Sequence, residues 1–128
     1  MAYGEYLVNA GACYDCHTAF EKGKYVGEFL AGGRSFQYSD GSIVTSANLT
    51  PHETGLKNWT KEMFVSRFRA YADSAYVPAT VQPGEFQTIM PWPMYGGMEV
   101  EDLEAMFAYL RTLTPVNNPV KLFVPASR

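Results

Sequence analysis

Apolar positions recur at helical spacing in three separated stretches of the chain, with glycine- and proline-rich sequence between them. Tyr3, Tyr6, Leu7 and Ala10 stand at i, i+3, i+4 and i+7, one face of a helix across residues 3–12. Between residues 18 and 45 the period dissolves. Gly23, Gly27, Gly32, Gly33 and Gly41 interrupt it, so the segment reads as loop with a short hairpin near Phe36 to Val44, turned at Asp40-Gly41. Thr50-Pro51 and Thr54-Gly55 add further turns. Thr60 can cap a helix that begins at Lys61, whose apolar face takes Met63, Phe64, Phe68 and Tyr71 with Arg67 at its margin. Residues 74–97 hold Pro78, Pro83, Gly84, Pro91, Pro93, Gly96 and Gly97, a loop of a length and composition that is functional or disordered in compact domains. The third helix is the clearest: Glu101 and Asp102 suit its first turn, Leu103, Met106, Phe107, Leu110 and Leu113 form a buried stripe, and Pro115 stops it. Met63 and Met106 are expected in the core, and the tail from Val116 to Arg128 is expected to be extended.

Composition narrows the picture to one globular domain, since 128 residues with 47% hydrophobic and 18% charged content suit neither two domains nor a disordered chain. A net charge of −3 without a Lys/Arg cluster gives no footprint for nucleic acid. No apolar run is long enough to span a membrane. Two cysteines are too few for a disulfide framework. The aromatic share of 15% is high, and aromatic walls suit a large flat cofactor.

Those two cysteines carry the chemistry. Cys13-Tyr14-Asp15-Cys16-His17 reads C-x-x-C-H, the attachment signature of a c-type haem. Two thiols three positions apart can each add to a vinyl group of one porphyrin, and the next imidazole can ligate the iron. Chance would produce the pattern in roughly one such chain in two thousand. A zinc site would need a fourth ligand at a recognised spacing, which His52 does not supply, and a thioredoxin-like dithiol belongs beside a βαβ pattern that is absent. His52, in a polar turn, reads as a solvated surface residue. A sixth iron ligand has three candidates in the Pro/Gly-rich loop, Met90, Met94 and Met98. Met90 precedes Pro91, which holds its backbone extended and suits a thioether projected from a stiff loop.

With these residues in place, nearly the whole chain, roughly residues 3 to 116, resembles a single-domain class I-type cytochrome c. It is most similar to the monohaem domains in the cytochrome subunits of bacterial alcohol and aldehyde dehydrogenases and related respiratory complexes. The resemblance lies in Tyr6-Leu7-Val8 before the haem motif, Gly32-Gly33-Arg34, Asn48-Leu49-Thr50-Pro51 followed by Thr54-Gly55 and Trp59, Met90-Pro91-Trp92, Asp102-Leu103, and Ala108-Tyr109-Leu110-Arg111. It implies His17 and Met90 as axial ligands of one haem held through Cys13 and Cys16, with Arg34, Asn48 and Trp59 near the haem edge as partners of the propionates. The chain departs from the family pattern at His52, where Asp is common, at Glu99, where a Thr-type cap is common, and across residues 75–88, which read as a loop specific to one docking arrangement.

The expected fold is all-α, one domain over residues 1–128 with its core at about 3–116: the N-terminal helix crosses the C-terminal one, with Tyr6 and Leu7 against Phe107 and Leu110, and a middle helix and long loops wrap the haem. The expected function is one-electron transfer in a bacterial respiratory or periplasmic chain rather than catalysis, with a dehydrogenase, oxidase or quinol-oxidising complex as redox partner. The alternative is an open-site haem protein with peroxidase-like or gas-binding activity. Haem attachment normally takes place outside the cytoplasmic membrane, and the first residues have no basic-then-apolar pattern. The expectation is therefore a mature, extracytoplasmic domain that has lost an export segment or anchor, with Met1 supplied from elsewhere.

Overall fold

The computed structural model describes residues 2–70 and 90–125. The expectations for Tyr71, for the segment 75–88 and for the Met94 side chain lie outside what is described.

Helix α1 (Ala2–Ala10) crosses helix α5 (Val100–Leu110), as the crossed-helix expectation requires. The face α1 buries is not the aromatic one. Gly4 and Val8 go inward with Leu7 half-buried, while Tyr6 is 65% exposed and Tyr3 is also exposed. Gly4 is the reason: a Cβ there would run into the backbone carbonyl of Ala105, so α1 seats its backbone on α5 and turns its tyrosines outward. Tyr3 lies along the edge of this contact and its hydroxyl donates to Asp102 Oδ1 at 2.7 Å. From α5 the core receives Leu103, Met106, Phe107 and Leu110. Leu113 lies beyond the helix end and packs half-buried against the same core. Glu99 at the N-cap makes no side-chain cap bond.

Helix α1 does not run on into the cysteines. It ends at Ala10, Ala12 turns left-handed (φ 59°), and a separate short helix α2 spans Cys13–His17. A small hairpin follows, β1 (Phe20–Glu21) against β2 (Lys24–Tyr25), turned at Lys22 and Gly23 with positive φ at both. The hairpin expected near residues 36–44 is present as β3 (Ser35–Gln37) and β4 (Ile43–Thr45), paired Phe36 with Val44. The tail is extended as expected, and its Phe123–Val124 segment adds to β4 as β5, giving a three-stranded antiparallel sheet ordered β3-β4-β5. The fold is thus helical with two small sheets carried on its loops.

Helix α3 (Lys61–Arg69) starts where Thr60 Oγ1 accepts from the Met63 amide at 3.1 Å. Phe64 and Phe68 are buried, whereas Met63, expected in the core, is 48% exposed. Successive helical residues are rotated by roughly 100°, so Met63 falls off the stripe that Phe64 and Phe68 define four residues apart. A short helix α4 (Trp92–Gly96) leads to α5. Val8, Leu30, Leu56, Phe64, Phe68 and the α5 stripe make one continuous core.

Candidate functional site

Cys13, Cys16 and His17 share a five-residue helix with no buried residue of its own. A helix this short cannot sustain itself, because nucleation fixes several residues for one hydrogen bond. Its shape is set by contacts to the rest of the chain. The Asp15 amide donates to Ala12 O at 3.0 Å, and the Gly32 amide donates to the His17 carbonyl at 2.7 Å. The Tyr14 ring meets Tyr25 and Phe29 with centroids 4.5 and 5.3 Å away. Both cysteines are free thiols. Cys16 is exposed, whereas Cys13 is half-buried, and burial pushes its thiol up to about 11.

The His17 ring is oriented by a single bond. Its Nδ1 lies 2.8 Å from the carbonyl oxygen of Ala47. A carbonyl can only accept, so Nδ1 carries the proton and Nε2 keeps the lone pair, the arrangement found in metal-ligating histidines. Burial lowers the pKa of His17, with the Ala47 bond opposing it. Burial thereby favours the neutral form that ligation requires. Gly32 makes the approach of Ala47 possible. It has φ +75°, and a Cβ on it would stand 2.5 Å from the carbonyl carbon and oxygen of Ala47.

The candidate sixth ligand lies in the C-terminal half of the chain. Met90 is half-buried and packs against the same apolar core as Cys13, Tyr14 and Trp59. Its carbonyl accepts from the Trp92 amide at 2.8 Å. The hydroxyl of Tyr95 donates to Gly11 O, which ties the turn after Met90 to the residue two before Cys13. Trp92 packs on Phe68 at 5.0 Å and lies under the Arg67 guanidinium at 3.9 Å. Arg69 Nη1 donates to the carbonyl of Met98 at 3.0 Å, and Met98 is half-buried beside the core.

Arg34 sits against the cysteine helix. Its Nη1 donates to Asp15 O at 2.6 Å, and the guanidinium lies over the rings of Phe20 (4.4 Å) and Phe36 (5.1 Å). Asn48 is 2% exposed, and its amide is fully engaged. Nδ2 donates to Thr54 Oγ1 (3.1 Å) and Val116 O (2.8 Å), while Oδ1 accepts from the Thr50 amide (2.9 Å) and Thr50 Oγ1 (2.7 Å). His52 is half-buried rather than solvated, because its Nδ1 accepts from the Thr54 amide at 3.1 Å and meets Thr54 Oγ1 at 2.9 Å. The Ala47 carbonyl and Tyr95 were not singled out from the sequence, and Gly32 was named only as a loop glycine and as part of Gly32-Gly33-Arg34. A backbone acceptor leaves no residue signature.

Residues 1–114 match the family model for cytochrome c. The chain belongs to the cytochrome c family. It is 34% identical over 93% of its length to the fructose dehydrogenase cytochrome subunit of Gluconobacter japonicus, covering 22% of that protein. It is 34% identical over 83% of its length to the cytochrome c subunit of the quinone alcohol dehydrogenase of Gluconobacter oxydans (strain 621H), covering 20% of it. The gluconate 2-dehydrogenase cytochrome c subunit of Pantoea cypripedii is 35% identical over 83% of the chain, which covers 21% of that protein. The chain spans about a fifth of the length of the curated relatives it matches. Membership brings covalent haem c and haem-based electron transfer. The donor set fits that group: two free thiols three positions apart and an imidazole whose Nδ1 is engaged by the Ala47 carbonyl, leaving Nε2 for the iron. Among the described residues no cluster of three or more His, Cys, Asp and Glu could hold a separate metal ion, and no helix is long and apolar enough to cross a membrane.

Proposed function

We propose that this cytochrome is a one-electron carrier with one haem held through Cys13 and Cys16 and closed by His17 and Met90 as axial ligands. The observation that supports it best is the Nδ1 bond of His17 to Ala47, which leaves Nε2 as the ligating atom. The haem supplies the Fe(II)/Fe(III) couple, and the chain's work is to hold and tune it. Partial burial of His17 favours its neutral form, and Ala47 turns the ring. Met90, before Pro91, is restrained to extended backbone, and the Tyr95–Gly11 bond fixes the turn that follows it. A thioether in this role raises the potential, and a ligand on each face leaves no position for a substrate. Phe64, Phe68 and Trp92 form the apolar side of the site and keep water away. Trp59 and Arg34 border the haem edge, and Asn48 acts there through the loop it braces, since its amide is already saturated.

The names of the relatives support a sugar or alcohol dehydrogenase as electron donor, and covalent haem attachment, which takes place outside the cytoplasmic membrane, supports a periplasmic setting. Carbon monoxide tests the closed site. The reduced, haem-loaded protein should fail to bind it, and Met90→Ala should bind it. Ready binding by the unaltered protein would favour the open-site reading. Intact mass should exceed that of the chain by one haem.

A further inference from the structure

The cysteine helix has too few residues to form alone, lacks a side-chain N-cap and buries none of its own residues, yet it must present two thiols and an imidazole in one fixed arrangement. Two side chains from outside converge on its middle residue. Arg34 Nη1 donates to the Asp15 carbonyl at 2.6 Å, and the Tyr25 hydroxyl donates to Asp15 Oδ1 at 3.2 Å. Asp15 lies between the two cysteines, so fixing it from both its backbone and its carboxylate fixes their relative orientation. We infer that Arg34 is a positioning residue that acts on the backbone of this turn, with Tyr25 as its second jaw, and that its planar guanidinium rather than its charge is what the site needs.

The surroundings of Arg34 fit that role. Phe20 stands three residues after His17 and Phe36 two residues on from Arg34, on the same side of the extended chain; the guanidinium lies 4.4 and 5.1 Å from their ring centroids. The backbone of Arg34 is itself fixed, its amide donating to Ser46 Oγ at 3.0 Å and its carbonyl accepting from the Ser46 amide at 3.0 Å. Ser46 precedes Ala47, so one short segment anchors Arg34 and supplies the carbonyl that turns His17. A lysine at this position keeps the positive charge but loses the plane that rests on the rings and the fork that reaches Asp15. The inference rests on the attachment role of Cys13 and Cys16 and is independent of Met90.

The test uses the haem-loaded protein with Arg34→Lys, Arg34→Gln, Tyr25→Phe and Phe36→Leu. Both Arg34 variants should speed amide exchange at Asp15 and Gly32 about tenfold, the loss expected for one charge-assisted hydrogen bond, while the Met63 amide at the start of α3 keeps its rate. Both should also shift the His17 ring resonances of the reduced protein and lower the fraction of chains carrying two thioether bonds. Lysine should not rescue any of these. Tyr25→Phe and Phe36→Leu, which leave Arg34 in place, should each give a smaller acceleration at the same two amides. Full rescue by lysine, with only Arg34→Gln shifting the midpoint potential, would make Arg34 a charge on the haem and overturn the clamp. Unaltered exchange at Asp15 and Gly32 in both Arg34 variants would overturn it too. Should Met90→Ala fail to open the iron, the ligation proposed above falls while the exchange pattern stands.

Discussion

Gly32→Ala would place a Cβ 2.5 Å from the carbonyl carbon and oxygen of Ala47 and force alanine to keep φ +75°. The left-handed conformation costs a non-glycine residue roughly 1–2 kcal/mol. Overpacking against rigid backbone adds roughly 1–3 kcal/mol. The expected loss is therefore about 2–5 kcal/mol, a large part of a typical domain stability of roughly 5–15 kcal/mol. Gly23→Ala is the control, because Gly23 has φ +80° but nothing within 4 Å of its added Cβ. It should lose only the conformational part, about 1–2 kcal/mol. Guanidinium unfolding of both haem-loaded variants, followed by haem absorbance and by far-ultraviolet circular dichroism, measures the difference. Proton NMR of the His17 Nδ1–H then reports whether Ala47 has moved. In Gly32→Ala that resonance should shift, and in Gly23→Ala it should not. Equal stability losses in the two variants, or an unshifted His17 resonance in Gly32→Ala, would refute the claim that Gly32 exists to bring the Ala47 carbonyl onto the ring.

Asn48→Ala strips partners from Thr50, Thr54 and Val116 in a buried network and should cost about 2–4 kcal/mol in denaturant unfolding; a loss below about 0.5 kcal/mol would show the network to be dispensable. Tyr95→Phe removes only the bond to Gly11, so stability should fall by about 1 kcal/mol while the far-red sulfur-to-iron absorption weakens, and an unchanged band would separate Tyr95 from the Met90 turn. The Ser42 hydroxyl and amide hold the Asp40 carboxyl below the usual carboxylate range. Its contribution to the β3–β4 turn is present above the ordinary value of about 3.9 and is lost as pH falls through the lowered folded value. The stability gap between wild type and Asp40→Ala should accordingly close with acid, and a gap constant from pH 6 to 2 would contradict this.

The elements that were legible in the sequence are those whose signal is local. The stripe Leu103–Met106–Phe107–Leu110, the Thr60 cap and the Asp40-Gly41 hairpin each declare themselves within a dozen residues. Where packing partners decide, the pattern misleads. Tyr3 and Tyr6 had helical spacing, but Gly4 lets α1 approach α5 by its backbone and sends both rings outward. Met63 had the right neighbourhood and the wrong side of the helix. The third strand, Phe123–Val124, depends on a pairing some eighty residues distant in sequence, which no local pattern encodes. At the candidate site, the cysteines and His17 could be nominated from the sequence because haem attachment requires fixed residue types at fixed spacing. The Ala47 carbonyl was not, since any residue could supply it. His52 was read as solvated because a histidine in a polar turn gives no hint that its ring stands in for a capping side chain.

The central claim is a closed iron with His17 on one face and Met90 on the other, and the far-red sulfur-to-iron band of the oxidised protein tests it most directly. The account predicts the band in the haem-loaded wild type and its loss in Met90→Ala. A band that persists in Met90→Ala, or that is missing from the wild type, would contradict it.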